Sequence, residues 1–251
     1  MRLAALYDIH GNLPALEAVI AQLRALRVDR IVIGGDVLPG PMPRETLAVL
    51  RGLDIPCHYI QGNGDREVVT RKRGLESSGV PEAFRGWIQW VADQLDRDDE
   101  AWLASWPPTC SLDVSEMGEV LFCHATPRND VDIFTRETPQ DAVLSLFEGV
   151  SASLVVCGHT HMQFDRTIGQ KRVVNAGSVG MPFAEPGAYW LLLGPDLELR
   201  RTSYDLEAAA AAIRRTQYPP AEEFASRNIL NPPTEAEMLA VFSKAAVQSA
   251  G

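Results

Sequence analysis

The feature that most constrains the fold is an alternation of apolar and amphipathic segments in the first third of the chain. Residues 2–7, 30–33 and 57–61 are apolar runs of strand length. Between them, residues 13–27 and 43–51 repeat apolar side chains at helical spacing. The order strand, helix, strand, helix, strand predicts βαβ units on a parallel sheet, and therefore an α/β fold.

The rest of the chain divides by pattern. Residues 66–108 hold four of the five tryptophans and predict a helical insert that caps the site. These tryptophans are either core residues under a helix hairpin, which we favour, or a platform on which a base stacks. We predict a single domain over residues 1–251, with this cap insert and a C-terminal helical extension at 205–251 in which 216–233 form a loop with a short helix. Further strands are predicted at 109–114, 119–123, 153–157, 163–168, 172–175, 188–193 and 197–203, with helices at 139–147, 206–215 and 235–247.

Composition excludes several classes of function. The net charge of −10 argues against stable binding of nucleic acid, because backbone phosphates are repelled. No apolar run approaches the ~20 residues that span a bilayer, and the first residues do not resemble a signal peptide. The four cysteines lack metal-ribbon spacing and are predicted to be small buried side chains in a reducing compartment. We therefore expect a cytoplasmic protein with no membrane partner.

Polar side chains follow the predicted strands where each strand ends. Ligands of open α/β sheets bind at the carboxyl ends of strands, so these side chains are expected to converge. Histidine is scarce in this chain, yet four of its five histidines belong to the set. They are therefore concentrated at the strand ends. The set comprises Asp8, His10, Asp36, Asn63, His124, His159 and His161.

Two carboxylates, four imidazoles and one amide are too many ligands for one tetrahedral ion. They suit two divalent ions, with one carboxylate bridging them. Mixed nitrogen and oxygen ligation favours Mn, Fe, Zn, Co or Ni over Ca or Mg, and manganese is our first choice.

The same residues carry a resemblance to a known family. Asp8-x-His10, Gly35-Asp36, Gly62-Asn63-x-Asp65, His124 and Gly158-His159-x-His161 resemble the five ordered blocks of the calcineurin-like metallophosphoesterase superfamily. The stretches that begin at Asp8 and at Val174 are similar to its small bacterial and archaeal phosphodiesterase branch.

The resemblance implies a fold and a division of the ligands. The fold is a four-layer α/β/β/α sandwich of two mixed sheets with helices on both outer faces. One metal would be held by Asp8, His10 and His161, and the other by Asn63, His124 and His159. Asp36 would bridge the two.

The resemblance also implies a reaction. The expected function is hydrolysis of phosphodiester or pyrophosphate-type bonds through attack of a hydroxide that bridges two metals. The expected substrate is a small phosphorylated molecule, such as a nucleotide-like diester or a dinucleoside polyphosphate. The alternatives are a serine/threonine-type protein phosphatase, a general phosphomonoesterase, and a non-catalytic binding scaffold of the same fold.

One position departs from the family pattern. Family members often have a histidine after the asparagine of the third block, where it protonates the leaving group or stabilises charge. This chain has Gly64 at that position. Loss of a general acid costs ~10²–10⁴-fold in rate, and less when the leaving group needs no proton. We therefore expect a preference for activated esters. His58 lies in mid-strand and is predicted to be structural rather than a replacement acid.

The remaining roles are assigned as follows. Asp36, Asp65 and His124 are the predicted catalytic residues. Asp65 either supports a ligand through a hydrogen bond or only shapes its turn. Asn12 either contacts substrate or caps a helix, and Arg128 either reaches a phosphate or lies free on the surface. The predicted substrate-binding residues are Arg128, Asn12, Asn63 and Ser178.

Overall fold

The computed structural model describes residues 1–76 and 80–247. Within them the chain forms two five-stranded sheets. The strands are β1 (Leu3–Leu6), β2 (Arg30–Ile33), β3 (Cys57–Tyr59), β4 (Thr109–Val114), β5 (Gly118–Cys123), β6 (Leu154–Cys157), β7 (Phe164–Ile168), β8 (Lys171–Asn175), β9 (Ala188–Leu193) and β10 (Leu197–Thr202).

Both sheets are mixed. The first has the order β10-β9-β1-β2-β3, in which β1, β2 and β3 are parallel and β9 is antiparallel to β1. The second has the order β4-β5-β6-β8-β7, in which β5, β6 and β8 are parallel and both edge strands are antiparallel. In the first sheet β1, β2 and β3 are adjacent and β3 forms one edge, whereas in the second sheet β5, β6 and β8 are central. Within each sheet the carboxyl ends of the parallel strands therefore point in one direction.

Helices cover the outer faces of both sheets. None of those within the described ranges is long and apolar enough to cross a bilayer. The helices are α1 (Leu13–Ala25), α2 (Pro43–Arg51), α3 (Asn63–Lys72), α4 (Glu82–Gln94), α5 (Arg97–Ala104), α6 (Gln140–Val143, continued as a 3₁₀ turn to Phe147), α7 (Leu206–Arg214), α8 (Ala221–Phe224, continued as a π-helix to Leu230) and α9 (Glu235–Ala245).

Side-chain alternation along the strands builds three cores between four layers. In β1, Ala4 and Leu6 pack against the helices of the first sheet, whereas Leu3 and Ala5 pack between the two sheets. In β6, Val156 joins the core between the sheets, and Val155 joins the core beneath the helix of the second sheet. The predicted α/β/β/α sandwich is thereby confirmed.

The helical additions differ in detail from the prediction. Helix α3 begins at Asn63, ahead of the predicted insert, because Asp65 accepts a hydrogen bond from the Gly62 amide and closes the first turn. Residues 221–230 are continuously helical, where a loop with a short helix was predicted, because Phe224 and Ile229 are buried. Residues 77–79 and 248–251 lie outside the described ranges, so the boundaries of the insert and the extension stay predictions.

The tryptophans of the insert fall into two environments. Trp106 is buried and its ring stacks on Tyr59 with centroids 5.0 Å apart, as expected for a core residue. Trp87 is half-buried and lines a cavity.

The core between the sheets predicts the effect of one substitution. Phe122 on β5 is fully buried there, so Phe122→Ala should lower the free energy of unfolding by about 3–5 kcal/mol. Urea unfolding followed by circular dichroism measures the change. Val241→Ala, at a side chain that is 53% exposed on α9, is the control and should change stability by about 0.5 kcal/mol or less. Equal effects of the two variants would contradict the assignment of Phe122 to the core.

Candidate metal centre

Seven polar residues converge where the two sheets meet. Sheet one supplies the residues that follow β1, β2 and β3, and sheet two supplies those that follow β5 and β6. All but Asn63 and His159 are buried, and those two are half-buried. The seven are Asp8, His10, Asp36, Asn63, His124, His159 and His161, the set predicted from the strand ends.

One group of donors surrounds the carboxylate of Asp8. The Oδ1 atom of Asp8 lies 3.4 Å from His161 Nε2 and 3.9 Å from His10 Nε2. The ligand atoms of these three residues all lie within 4.8 Å of one another, close enough to hold one metal ion.

A second group lies beside it. Asp8, Asp36 and His124 also place their ligand atoms within 4.8 Å of one another. One terminal atom of the Asn63 amide lies 3.1 Å from His124 Nε2 and 3.0 Å from His159 Nδ1. Asn63 and His159 thus adjoin the second group, on the side of His124.

Backbone carbonyls fix the orientation of three imidazoles. His10 Nδ1 donates to Pro39 O at 3.2 Å, His124 Nδ1 to Gly34 O at 3.0 Å and His161 Nδ1 to Met181 O at 2.6 Å. A carbonyl only accepts, so each Nδ1 carries the proton. Each Nε2 therefore presents a lone pair to the centre, the orientation that metal-ligating histidines adopt.

The cluster fits a cation. The Nε2 atoms of His10 and His161 face each other at 3.3 Å, an arrangement that a shared positive charge stabilises. Asp8 Oδ2 accepts from the His159 amide at 2.9 Å. Asp8 Oδ1 is buried and has no hydrogen-bond partner among residues 1–76 and 80–247. A buried carboxylate oxygen is costly without a partner, and a divalent ion supplies one.

Electrostatics favour the neutral, metal-binding forms of His10 and His159. Burial and neighbouring histidines lower the pKa of His10 and of His159 to about 3, so both imidazoles are neutral at physiological pH. Neutral imidazole is the form that binds metal. For His161, burial opposes the charge but the Asp8 carboxylate outweighs it and raises the pKa.

The two carboxylates respond in opposite directions. For Asp8, burial opposes ionisation, but the histidines around it outweigh burial and lower the pKa. Burial and the charge of Asp8 raise the pKa of Asp36. Two neighbouring carboxylates repel each other when both are ionised, and cations bound between them offset this repulsion.

Five of the seven candidate ligands have left-handed backbone. The non-glycine residues with positive φ include Asp8 (53°), His10 (47°), Asp36 (50°), His159 (66°) and His161 (59°). Left-handed backbone costs a non-glycine residue of order 1–3 kcal/mol, and it clusters at functional sites. Each of these residues turns the chain sharply after a strand, so that its side chain points into the seam between the sheets.

Gly158 and Gly64 are required by close approach. A Cβ atom at Gly158 would lie 2.6 Å from Asp8 Oδ2. A Cβ atom at Gly64 would lie 2.4 Å from the Leu38 carbonyl oxygen, and the Gly64 amide donates to Asp36 Oδ1 at 2.7 Å. The structure therefore has no room for a side chain at Gly64, the position where family members often carry histidine.

Asp65 has a supporting position. It is fully buried, and its two oxygens accept from the amides of Leu38 and Gly62. These bonds tie the loop after β2 to the start of α3, and thereby set the spacing of Asp36 and Asn63. Of the two roles weighed for Asp65, turn shaping matches these two bonds, and its assignment as a catalytic residue stays a prediction.

Two of the predicted substrate contacts, Asn12 and Ser178, do not fit the structure, and the role of Arg128 stays a prediction. Asn12 is fully buried, caps α1 through the Ala15 amide and donates to Gly180 O. Ser178 is fully buried and donates to the Asp8 carbonyl. Arg128 lies on the surface and pairs with Asp132 at 3.1 Å. Asn63, by contrast, lines a cavity that opens from the site.

The metal centre opens into a cavity that the sequence patterns did not reveal. Its volume is about 490 Å³, and its wall includes His10, Asp36 and Asn63. Aromatic and apolar residues from α4, from the loop after β8 and from the C-terminal helices complete the wall. The tryptophan content of the insert was the single sequence signal that pointed to it.

Comparisons with known proteins identify relatives of this architecture. Residues 1–194 match the family model for the calcineurin-like phosphoesterase superfamily domain. An uncharacterized protein from Methanocaldococcus jannaschii is 26% identical over 237 residues, which cover 86% of this chain and 93% of the relative.

Two solved structures have similar folds. A hypothetical protein from Pyrococcus horikoshii has a TM-score of 0.77 at 19% identity and covers 93% of this chain and 99% of its own. A metallophosphoesterase from Sphaerobacter thermophilus has a TM-score of 0.71 at 25% identity and covers 90% of this chain and 97% of its own. Both structures show the same fold, and the family match supports the identification made from the motifs. The chain belongs to the calcineurin-like phosphoesterase superfamily and is a metal-dependent hydrolase of phosphoester bonds.

Proposed function

We propose that the chain is a dinuclear phosphoesterase that hydrolyses phosphodiester or pyrophosphate-type bonds of a small phosphorylated substrate. The observation that carries the proposal is the pair of adjoining donor groups that share Asp8. A single ion would use one group and leave the other as a buried cluster of charges and lone pairs, which is costly. Manganese as the native metal and a cytoplasmic location remain predictions.

Asp36 is the proposed bridge between the metals. Its Oδ2 atom lies 3.8 Å from His10 Nε2, and its Oδ1 atom lies 3.5 Å from His124 Nε2. One carboxylate therefore faces both donor groups. Bound divalent ions would supply an activated water nucleophile and neutralise charge that builds up on the phosphate.

The protein contributes preorganisation. The carbonyls behind His10, His124 and His161 fix three imidazole rings before any ligand binds. Helix α3 begins at Asn63, so the positive end of its dipole faces the same site and favours a phosphate there.

The geometry at Gly64 supports a preference for activated leaving groups. Because no side chain fits at this position, no donor from it reaches a departing oxygen. Aryl oxides and nucleotide phosphates depart without full protonation, whereas alkyl oxides depend on it.

Asp36→Asn tests the bridging role. The variant keeps the size of the side chain but removes the charge, so it should bind less metal and lose at least about 10²-fold in kcat/KM, the effect of removing one electrostatic group at a reacting centre. Elemental analysis of the purified protein and hydrolysis of bis(p-nitrophenyl) phosphate with added manganese measure the two effects.

Asp54→Asn is the matched control. Asp54 is a surface residue that pairs with Arg24, far from the site in the fold, so the same chemical change should leave metal content and rate unaltered. Full activity and full metal content in Asp36→Asn would rule out Asp36 as the bridge.

The leaving-group preference is tested with a substrate panel. The panel contains bis(p-nitrophenyl) phosphate, p-nitrophenyl phosphate, a dinucleoside tetraphosphate, a cyclic nucleotide, a phosphopeptide and an alkyl monophosphate. Activated diesters and pyrophosphate linkages should exceed the alkyl monophosphate by at least about 10²-fold in kcat/KM, because a missing general acid costs that much. Comparable rates for alkyl monophosphate and aryl diester would contradict the preference, and dominance of the phosphopeptide would favour a protein phosphatase.

A further inference from the structure

The cavity beside the metal centre is larger than a phosphate group needs. Its volume of about 490 Å³ lies in the range of small-molecule sites, ~300–1,000 Å³, and exceeds by far the ~30 Å³ that a water molecule occupies. It is continuous with the metal centre, because His10, Asp36 and Asn63 belong to its wall. A ligand whose phosphate reaches the metals therefore places its organic part in this cavity.

Aromatic side chains with accessible faces form one side of the cavity. Phe84 on α4 is 45% exposed, a high value for a large apolar residue, and it meets Trp87 edge to face with ring centroids 5.1 Å apart. Both residues line the cavity. Exposed aromatic rings next to a reacting centre indicate a surface that a ligand covers.

Phe183 connects the aromatic wall to the metal ligands. Its ring stacks on His161 with centroids 4.8 Å apart and an interplanar angle of 20°. It also lines the cavity, so a group bound there contacts a ring that lies directly on a metal ligand.

The C-terminal extension supplies polar groups to the same cavity. Arg227 and Asn228 line it next to Phe224 and Tyr218. Apolar walls with a few converging polar groups are the usual composition of a site for an organic ligand.

We propose that this cavity binds the organic group of the substrate, and that this group is a flat aromatic ring, either an aryl group or a nucleobase. The inference rests on the proposed function, since it assumes that the phosphate of the same molecule occupies the metal centre. A planar ring fits because Phe84, Trp87 and Phe183 offer stacking or edge contacts that an alkyl chain does not use.

Three phosphates with different organic groups test the proposal. Methyl phosphate, phenyl phosphate and adenosine monophosphate are measured as inhibitors of bis(p-nitrophenyl) phosphate hydrolysis by the full chain with manganese. The two aromatic phosphates should inhibit at least about tenfold more tightly than methyl phosphate, the difference expected from burial of part of a ring. Equal inhibition constants for phenyl phosphate and adenosine monophosphate indicate recognition of a ring alone, and tighter adenosine monophosphate indicates a base; both support the proposal.

Two variants locate the effect in the cavity. Phe84→Ala and Trp87→Phe should weaken inhibition by the two aromatic phosphates and leave the inhibition constant of methyl phosphate unchanged. The ratio of the methyl phosphate constant to each aromatic constant should therefore fall. Leu144→Ala is the control, since Leu144 has a similar exposure of 43% and lies outside the cavity wall. Circular dichroism verifies that the variants fold. If Phe84→Ala does not fold, the conservative variant Trp87→Phe still tests the proposal.

The outcomes distinguish failure of the aromatic subsite from failure of the proposed function. Hydrolysis of phosphoesters together with equal inhibition by all three phosphates overturns the aromatic subsite and leaves the proposed function intact. If no phosphoester is hydrolysed, the proposed function fails, and tryptophan fluorescence then tests the cavity alone. Quenching by phenyl phosphate in the manganese-loaded protein, lost in Trp87→Phe, supports the subsite, and the absence of quenching overturns it.

Discussion

The site depends on the contacts that the carboxylate of Asp8 makes. It follows a strand of the first sheet, yet its Oδ2 atom accepts from the amide of His159, which follows a strand of the second. Its Oδ1 atom faces His10, His124 and His161 within 3.9 Å. One side chain thus links the two sheets by a hydrogen bond and also belongs to both donor groups. A metal held there binds across the seam of the sandwich, so its binding free energy also favours the native arrangement of the sheets.

This convergence requires strained backbone at several positions. Five of the residues that surround the centre have positive φ, a conformation that glycine adopts without strain and that Asp and His adopt at a cost. At these positions a glycine would relieve the strain but would remove the ligand. The strain is sustained by hydrogen bonds from neighbouring turns, such as those of Ser178 and Gly180 to the Asp8 carbonyl.

The fold and the convergence of the candidate ligands were predictable because their signals are local. Strand length, period-two alternation and the polar residue after each strand are all readable along the chain, and the rule that parallel strands end at one edge brings the ligands together. The burial of Asn12 and Ser178 was not readable, because both side chains face turns that are distant in sequence, as in the bond from Asn12 to Gly180. The cavity escaped prediction for the same reason, since its wall combines α4, the Phe183 loop and the C-terminal helices.

The stacking of Phe183 on His161 has a consequence for how this site can diverge. The same ring serves as wall of the cavity and as backing for a ligand imidazole, so the two properties share one residue. A substitution that reshapes the cavity at this position also removes the ring that stacks on His161, and leaves that imidazole held by the Met181 carbonyl and by its contact with Asp8. New substrates are therefore reached more readily through Phe84 or Trp87 on α4, where the wall changes and the ligand geometry stays fixed.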